Sequence, residues 1–331
     1  MRGKLVTIFG GTGFVGRHLV RRLAGEGARI RVAVRHPLDV APLKPMGNVG
    51  QIAGVQASVT HEGSVRAAVA GADMVLNLVG ILYESGRATF DAVHRQGAEN
   101  VARAAREAGA GRLVHMSALG ANPGSHSDYA SSKAAGEEAV RNAFPEAAII
   151  RPSVIFGPED GFFNRFASIA RISPILPVFG CPRPRFQNGH LDIYGDGGVK
   201  FQPVYVGDVA DAFMKCLEDP AHGGKTFELG GPATYSFKQI MEMICRETGR
   251  RRFLMPVPFG MAMLMAGVLQ LFPKPLLTTD QVELLKTDNV ASGRLPTLVD
   301  LGINPTGAEG IIPTYLDRYR PGGRFTKPRP A

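Results

Sequence analysis

The run Leu-Val-Thr-Ile-Phe-Gly-Gly-Thr-Gly-Phe-Val-Gly, residues 5–16, constrains this chain more than any other stretch. Residues 5 to 9 read as an apolar strand and Arg17 to Leu23 carry helical spacing, so Gly10, Gly13 and Gly16 fall on a strand-to-helix turn. Such a turn aims backbone N–H groups at a pyrophosphate. Its glycines permit the sharp reversal, the close approach of phosphate and the close packing of helix on strand. Ala28 to Arg35 (ARIRVAVR) reads as a second strand beginning 12 residues after Gly16, which completes a βαβ unit. That unit predicts a bound dinucleotide.

The end of the second strand bears on which dinucleotide it is. An acidic residue there would hydrogen-bond the ribose hydroxyls of NAD, whereas an arginine pairs with the extra phosphate of NADP. This chain has Arg35, and Arg17 and Lys44 are placed to add charge. The expected cofactor is NADPH.

Strand and helix keep alternating further on. Met74 to Val79, Leu113 to Ser117 and Ala148 to Arg151 read as strands, and Phe90 to Ala108 as an amphipathic helix. The pattern predicts an α/β fold of the Rossmann type, with a doubly wound parallel sheet. At 331 residues the chain can form one sizeable domain with a smaller companion. The first residues enter the nucleotide-binding strand without a signal-peptide pattern, so the protein is expected in the cytosol or facing it. Cys181, Cys216 and Cys245 have no paired spacing, which argues against disulfides and against a metal site.

A net charge of +9 implies an anionic partner. No recognition module or basic stripe interleaved with aromatics is present, so nucleic acid is not expected. The basic residues concentrate at Arg246, Arg250, Arg251 and Arg252, and again at Arg318, Arg320, Arg324, Lys327 and Arg329. That distribution suits anionic lipid or an acidic protein surface.

Tyr129 and Lys133, in Tyr-Ala-Ser-Ser-Lys, open a helix read from Tyr129 to Ala143, so phenol and ammonium share one face a turn apart. A nearby lysine cation favours the phenolate. Tyrosine can then act as general acid or base toward a carbonyl or alcohol while hydride moves.

These residues, with Arg151-Pro-Ser-Val-Ile-Phe-Gly-Pro158 and Pro203-Val-Tyr-Val-Gly-Asp-Val-Ala210, resemble the extended and atypical short-chain dehydrogenase/reductases over nearly the whole chain. Asn142 to Ala147, Arg151 to Asp160 and Asn164 to Ser168 resemble one branch, which contains the NADPH-binding accessory subunit of respiratory complex I (NADH:ubiquinone oxidoreductase) and its bacterial relatives. The resemblance implies a dinucleotide-binding domain at 1–155 with a return segment about 200–220, and a smaller, discontinuous C-terminal domain at 156–199 and 221–331. It implies cofactor contacts from Gly10, Thr12, Gly13, Phe14, Val15, Gly16, Arg17, Arg35, Ser58, Leu78, Val79, Gly80, Tyr129, Lys133, Pro152, Ser153 and Val154. The third catalytic hydroxyl of extended reductases falls on Ser117, or its position falls on Ala118 or Leu119 and Ser117 is vestigial. No acidic residue stands in Val55-Gln-Ala-Ser-Val59, where one often meets adenine, and Ser58 is the group offered in its place.

Phe253 to Phe272 is a stretch of twenty residues without a formal charge. Its proline-free part, Phe259 to Phe272, would extend about 21 Å as a helix, short of a hydrocarbon core of roughly 30 Å. Met255, Met261, Met263 and Met265 make it adaptable, and the flanking arginines and Lys274 suit a membrane interface. A buried helix of the smaller domain is the competing reading.

Two functions follow. In the first, the chain is an accessory subunit of complex I. It holds NADPH structurally and docks on other subunits near the membrane, on the cytoplasmic face of a bacterial inner membrane or the matrix side of a mitochondrial one. In the second, it is an active NADP-dependent reductase, dehydratase or epimerase acting on an apolar or quinone-like substrate.

Overall fold

The computed structural model describes residues 1–182, 185–187, 190–273 and 275–323, so Lys274, Arg324, Lys327 and Arg329 lie outside the described residues. The chain divides into two compact units. The first comprises Met1–Pro152, Val206–Leu229 and Ser292–Asn304; the second comprises Ser153–Tyr205, Gly230–Ala291 and the residues from Pro305 on.

A seven-stranded sheet organises the first unit. Its strands are β1 (Leu5–Phe9), β2 (Arg29–Val34), β3 (Ile52–Gln56), β4 (Met74–Asn77), β5 (Arg112–Met116), β6 (Ala148–Pro152) and a final strand, Thr226–Leu229. They run parallel in the order Thr226–Leu229, β6, β5, β4, β1, β2, β3. Val6, Ile8, Val32, Val75, Val114 and Ile149 are buried, as expected of strands covered on both faces. The strand order reverses between β1 and β4, and the crevice at the carboxyl ends there is where such sheets bind ligands.

Helices flank the sheet. Helix α1 (Phe14–Gly25) is joined to the helix Val206–Glu218 by Arg22, whose Nε meets Asp211 at 2.5 Å and whose Nη2 donates to the Gly207 carbonyl at 3.0 Å. Helices α2 (Glu62–Val69), α3 (Gly97–Glu107) and α4 (Asp128–Ala143) bury Val65, Val69, Val101 and Val140 against Phe9, Val75 and Leu113. The sequence pattern predicts a single α-helix over Phe90–Ala108. Instead Asp91–Gln96 is a π-helical turn that continues into α3. Such turns concentrate at functional sites.

In the second unit Phe237 sits among Phe162, Phe166, Phe179 and Phe201, with ring centroids 5.4 to 6.1 Å apart. Phe253–Val257 is a strand, paired in parallel with Ile175–Phe179, and the apolar helix spans Phe259–Leu269. It begins at Phe259, as the sequence suggests, with Pro258 as its N-cap, but ends at Leu269, three residues short of the expected Phe272. The helix turns small residues inward, with Ala262 and Ala266 buried, and leaves Met261, Leu264 and Val268 at 51%, 77% and 62% exposure. The buried-helix reading thus holds for one side of the helix, where Phe259, Met263 and Met265 also pack against the core. Among the described residues no helix is long and apolar enough to cross a membrane.

Candidate functional site

The glycine turn is built around two constraints. Gly10 takes φ +82°, and a Cβ there would stand 3.1 Å from the Leu78 carbonyl carbon. A Cβ on Gly16 would lie 2.4 Å from the Gly10 carbonyl oxygen, so no larger residue fits. The Gly13 N–H donates to that same oxygen at 3.0 Å, and Gly13 becomes the N-cap of α1. Phe14, Val15 and Gly16 form the first turn, which carries no acidic side chain. The positive helix end is therefore left for an external anion. Arg17 Nε donates to the Thr12 carbonyl at 2.9 Å and braces the turn from outside.

Arg35 follows directly on β2 and is exposed. β1 and β2 pair in parallel up to Phe9↔Ala33, so Arg35 leaves the sheet at the same end as the glycine turn. Ser58, past β3, is engaged locally: its N–H donates to Ser64 Oγ at 3.1 Å and its Oγ lies 2.9 Å from Thr60 Oγ1. Leu78, Val79 and Gly80 leave β4 against the turn. The Leu78 N–H donates to the Phe9 carbonyl at 2.9 Å, and the Val79 N–H to Asn77 Oδ1 at 3.2 Å.

Helix α4 begins at Asp128, capped by the Ser127 side chain, and carries Tyr129 and Lys133 one turn apart. Lys133 is buried and its Nζ donates to the Met116 carbonyl at 2.7 Å, next to Ser117. Burial brings the ammonium down to about 8, against the pull of Glu137, so it remains mostly a cation at neutral pH. Ser117 is buried at the end of β5, and its Oγ meets no hydrogen-bond partner. Buried hydroxyls are nearly always satisfied, so this one marks a place for a ligand oxygen or a water beside the lysine. Tyr129 is half-buried, its ring edge-on to Phe90 at 5.9 Å and to His94 at 5.4 Å.

Sequence reasoning passed over His94, His115 and Glu137. His115 is buried on β5 beside Asn77, whose amide lies 3.2 Å from its Nδ1, while its Nε2 has no partner. Burial, then the charge of Lys133, holds it well below the usual histidine range. His94 is buried and held down to about 3 by burial and by Lys133. Glu137 takes both Arg151 donors, at 2.8 and 2.7 Å, and supplies the nearest counter-charge to Lys133. The signal was present in the pattern: His94 falls on the apolar stripe of Phe90, Val93, Gly97 and Val101, and His115 at an inward position of a buried strand.

The remaining residues are placed otherwise. The Pro152 carbonyl accepts from the Leu119 N–H at 3.0 Å at the end of β6. Ser153 and Val154 belong to the second unit. There the Asn289 side-chain oxygen accepts from Ser153 Oγ at 2.7 Å and from the Val154 N–H at 3.1 Å.

The residues present fit a dinucleotide. A cradle that a Cβ would fill, a helix end without a carboxylate, an exposed arginine just past β2 and an orphan hydroxyl next to the carbonyl that Lys133 holds all lie in the first unit. Residues 6–230 match the NAD dependent epimerase/dehydratase family. The chain is 36% identical to NADH dehydrogenase [ubiquinone] 1 alpha subcomplex subunit 9 of Arabidopsis thaliana mitochondria, over 97% of this chain and 79% of that protein. It is 40% identical to the ceramide reductase of Caulobacter vibrioides over 174 residues, 53% of each protein. Its fold is shared with a triphenylmethane reductase of a Citrobacter species, at a TM-score of 0.72 and 18% identity over 94% of this chain and 99% of that one. The chain belongs to the NAD dependent epimerase/dehydratase family, within the group that holds the alpha subcomplex subunit 9 proteins of mitochondrial NADH dehydrogenase.

Proposed function

We propose that this protein is an NADPH-holding accessory subunit of the respiratory NADH:ubiquinone oxidoreductase, seated on other subunits of that complex at the membrane surface. The observation that carries the reading is its similarity to subunit 9 relatives along nearly the whole chain. Arg35 at the end of β2, where NAD-selective folds carry an acid, favours NADPH. A dinucleotide bound only by the native state would stabilise the fold and fix the surface that partners meet. The stripe Met261, Leu264 and Val268 and the arginines before Phe253 support docking against lipid on the side of the membrane facing the cytoplasm or matrix. The test is purification from native membranes in mild detergent, with mass spectrometry of co-purifying polypeptides and of the nucleotide released on denaturation. Stoichiometric NADPH with complex I subunits is the expected result. A free protein with exchangeable nucleotide refutes it.

A second reading, an active reductase for an apolar carbonyl or alcohol, is favoured by the similarity to ceramide reductase and by the unpartnered Ser117 hydroxyl beside Lys133. A bound nicotinamide would supply or accept hydride. Ser117 would hold the substrate oxygen, Tyr129 would move its proton and Lys133 would keep the phenol acidic. Tyr129→Phe separates the readings. It leaves assembly and NADPH content unchanged in an accessory subunit, and abolishes turnover in a reductase.

A further inference from the structure

We infer that His94 is a positioning residue, a strut that ties the segment following β4 to the helix bearing Tyr129 and Lys133 and so sets the grip on the nicotinamide half of the cofactor. The inference rests on the NADPH-holding reading. His94 Nε2 accepts from the Ile81 N–H at 3.0 Å, which leaves the proton on Nδ1, and Nδ1 lies 2.9 Å from Ser132 Oγ. Ser132 Oγ donates in turn to the Tyr129 carbonyl at 2.8 Å. One tautomer of a neutral imidazole satisfies this whole chain of bonds. The ring is clasped as well, stacked on Phe90 at 5.4 Å and meeting Tyr129 edge-on at 5.4 Å.

Both ends of the strut are fixed. The segment Leu78–Ile81 starts at the Phe9 carbonyl and Asn77, lies against Gly10, and ends at His94. On the other side, a Cβ on Gly136 would fall 2.1 Å from the His94 carbonyl oxygen, so α4 meets the π-helical turn at a distance that only glycine allows. A protonated His94 would lose the Ile81 bond and add a second cation near Lys133. Its burial keeps it neutral.

Three variants divide the strut. His94→Asn keeps a donor near the Nδ1 position for Ser132, His94→Gln keeps an acceptor near the Nε2 position for Ile81, and His94→Phe keeps the ring and loses both bonds. The rate of NADPH release, followed by nicotinamide fluorescence, is compared with binding of 2′,5′-ADP, which carries the adenosine half alone. His94→Phe is expected to speed NADPH release about tenfold or more, with Asn and Gln between it and the wild type. Binding of 2′,5′-ADP should stay within about twofold, since hydrogen bonds lost at one end leave the other end's contacts intact. Equal weakening of both ligands, or no change in either, overturns the inference. A wild-type protein that binds no NADPH removes the cofactor reading and this inference with it. If His94→Phe does not fold, the Asn and Gln variants decide by the same comparison of the two ligands.

Discussion

Arg35 is an exposed guanidinium whose proposed work is electrostatic, so its replacement should be felt by one ligand and not by the fold. Arg35→Asp is expected to weaken NADPH binding about tenfold or more while leaving NADH binding and the melting temperature near their starting values. Calorimetric titration with both nucleotides checks this; equal loss of both would remove Arg35 from the phosphate site. The buried histidines give a second residue-scale expectation. His94 titrates at about 3 in the folded protein, against roughly 6.5 when unfolded. Between those values the unfolded chain binds the extra proton, so stability is lost as pH falls through that window. His115, also held low, adds in the same sense. Urea unfolding at a series of pH values should show a slope about 1.4 kcal/mol per pH unit shallower in His94→Asn. An unchanged slope would mean that His94 is already charged in the native state. The burial of these two histidines was legible in the apolar pattern around them, but their partners were not, because Ile81, Ser132 and Asn77 are brought to them by elements far off in sequence. The strand-to-helix glycine turn, the place of Arg35 just after β2 and the one-turn spacing of Tyr129 and Lys133 were legible because each depends on short, fixed spacings in sequence.

At the scale of elements, the helix Phe259–Leu269 is apolar on both sides, with Ala262, Ala266, Met263 and Met265 turned to the core and Met261, Leu264 and Val268 outside. Each such side chain buried in an apolar environment gains about 1.5–3 kcal/mol. Leu264→Glu with Val268→Glu should therefore release the protein from membranes without lowering its melting temperature, as sedimentation of the membrane fraction would show. Retention at the membrane would turn attention to the arginines. The charge-free run and the start of its helix at Phe259 were evident in the sequence, but the strand before it and the helix end at Leu269 were not. Hydropathy does not distinguish a strand from a helix when prolines and an apolar partner strand decide the outcome, as they do at Phe253–Val257. The π-helical turn at Asp91–Gln96 was hidden for a related reason: the apolar stripe of Phe90–Ala108 is the same whether one turn is wound wide or not.

At the scale of the whole molecule, the fold class was readable because alternating strands and helices, joined by short connections, leave few arrangements for a parallel sheet. The seventh strand was not. Thr226–Leu229 is short and fully buried, and nothing in its four residues marks it as the partner of β6. Its late place in the chain has a consequence for synthesis. β6 is complete once residue 152 has left the ribosome, yet the strand that covers its outer edge appears only after all of 153–225 has been made. Throughout that interval the nascent sheet offers an open row of peptide groups, which is a template for joining another chain. Fragments ending between these points would keep that row bare permanently, so the edge at β6 is covered only by chain that arrives after the first segment of the second unit, Ser153–Tyr205.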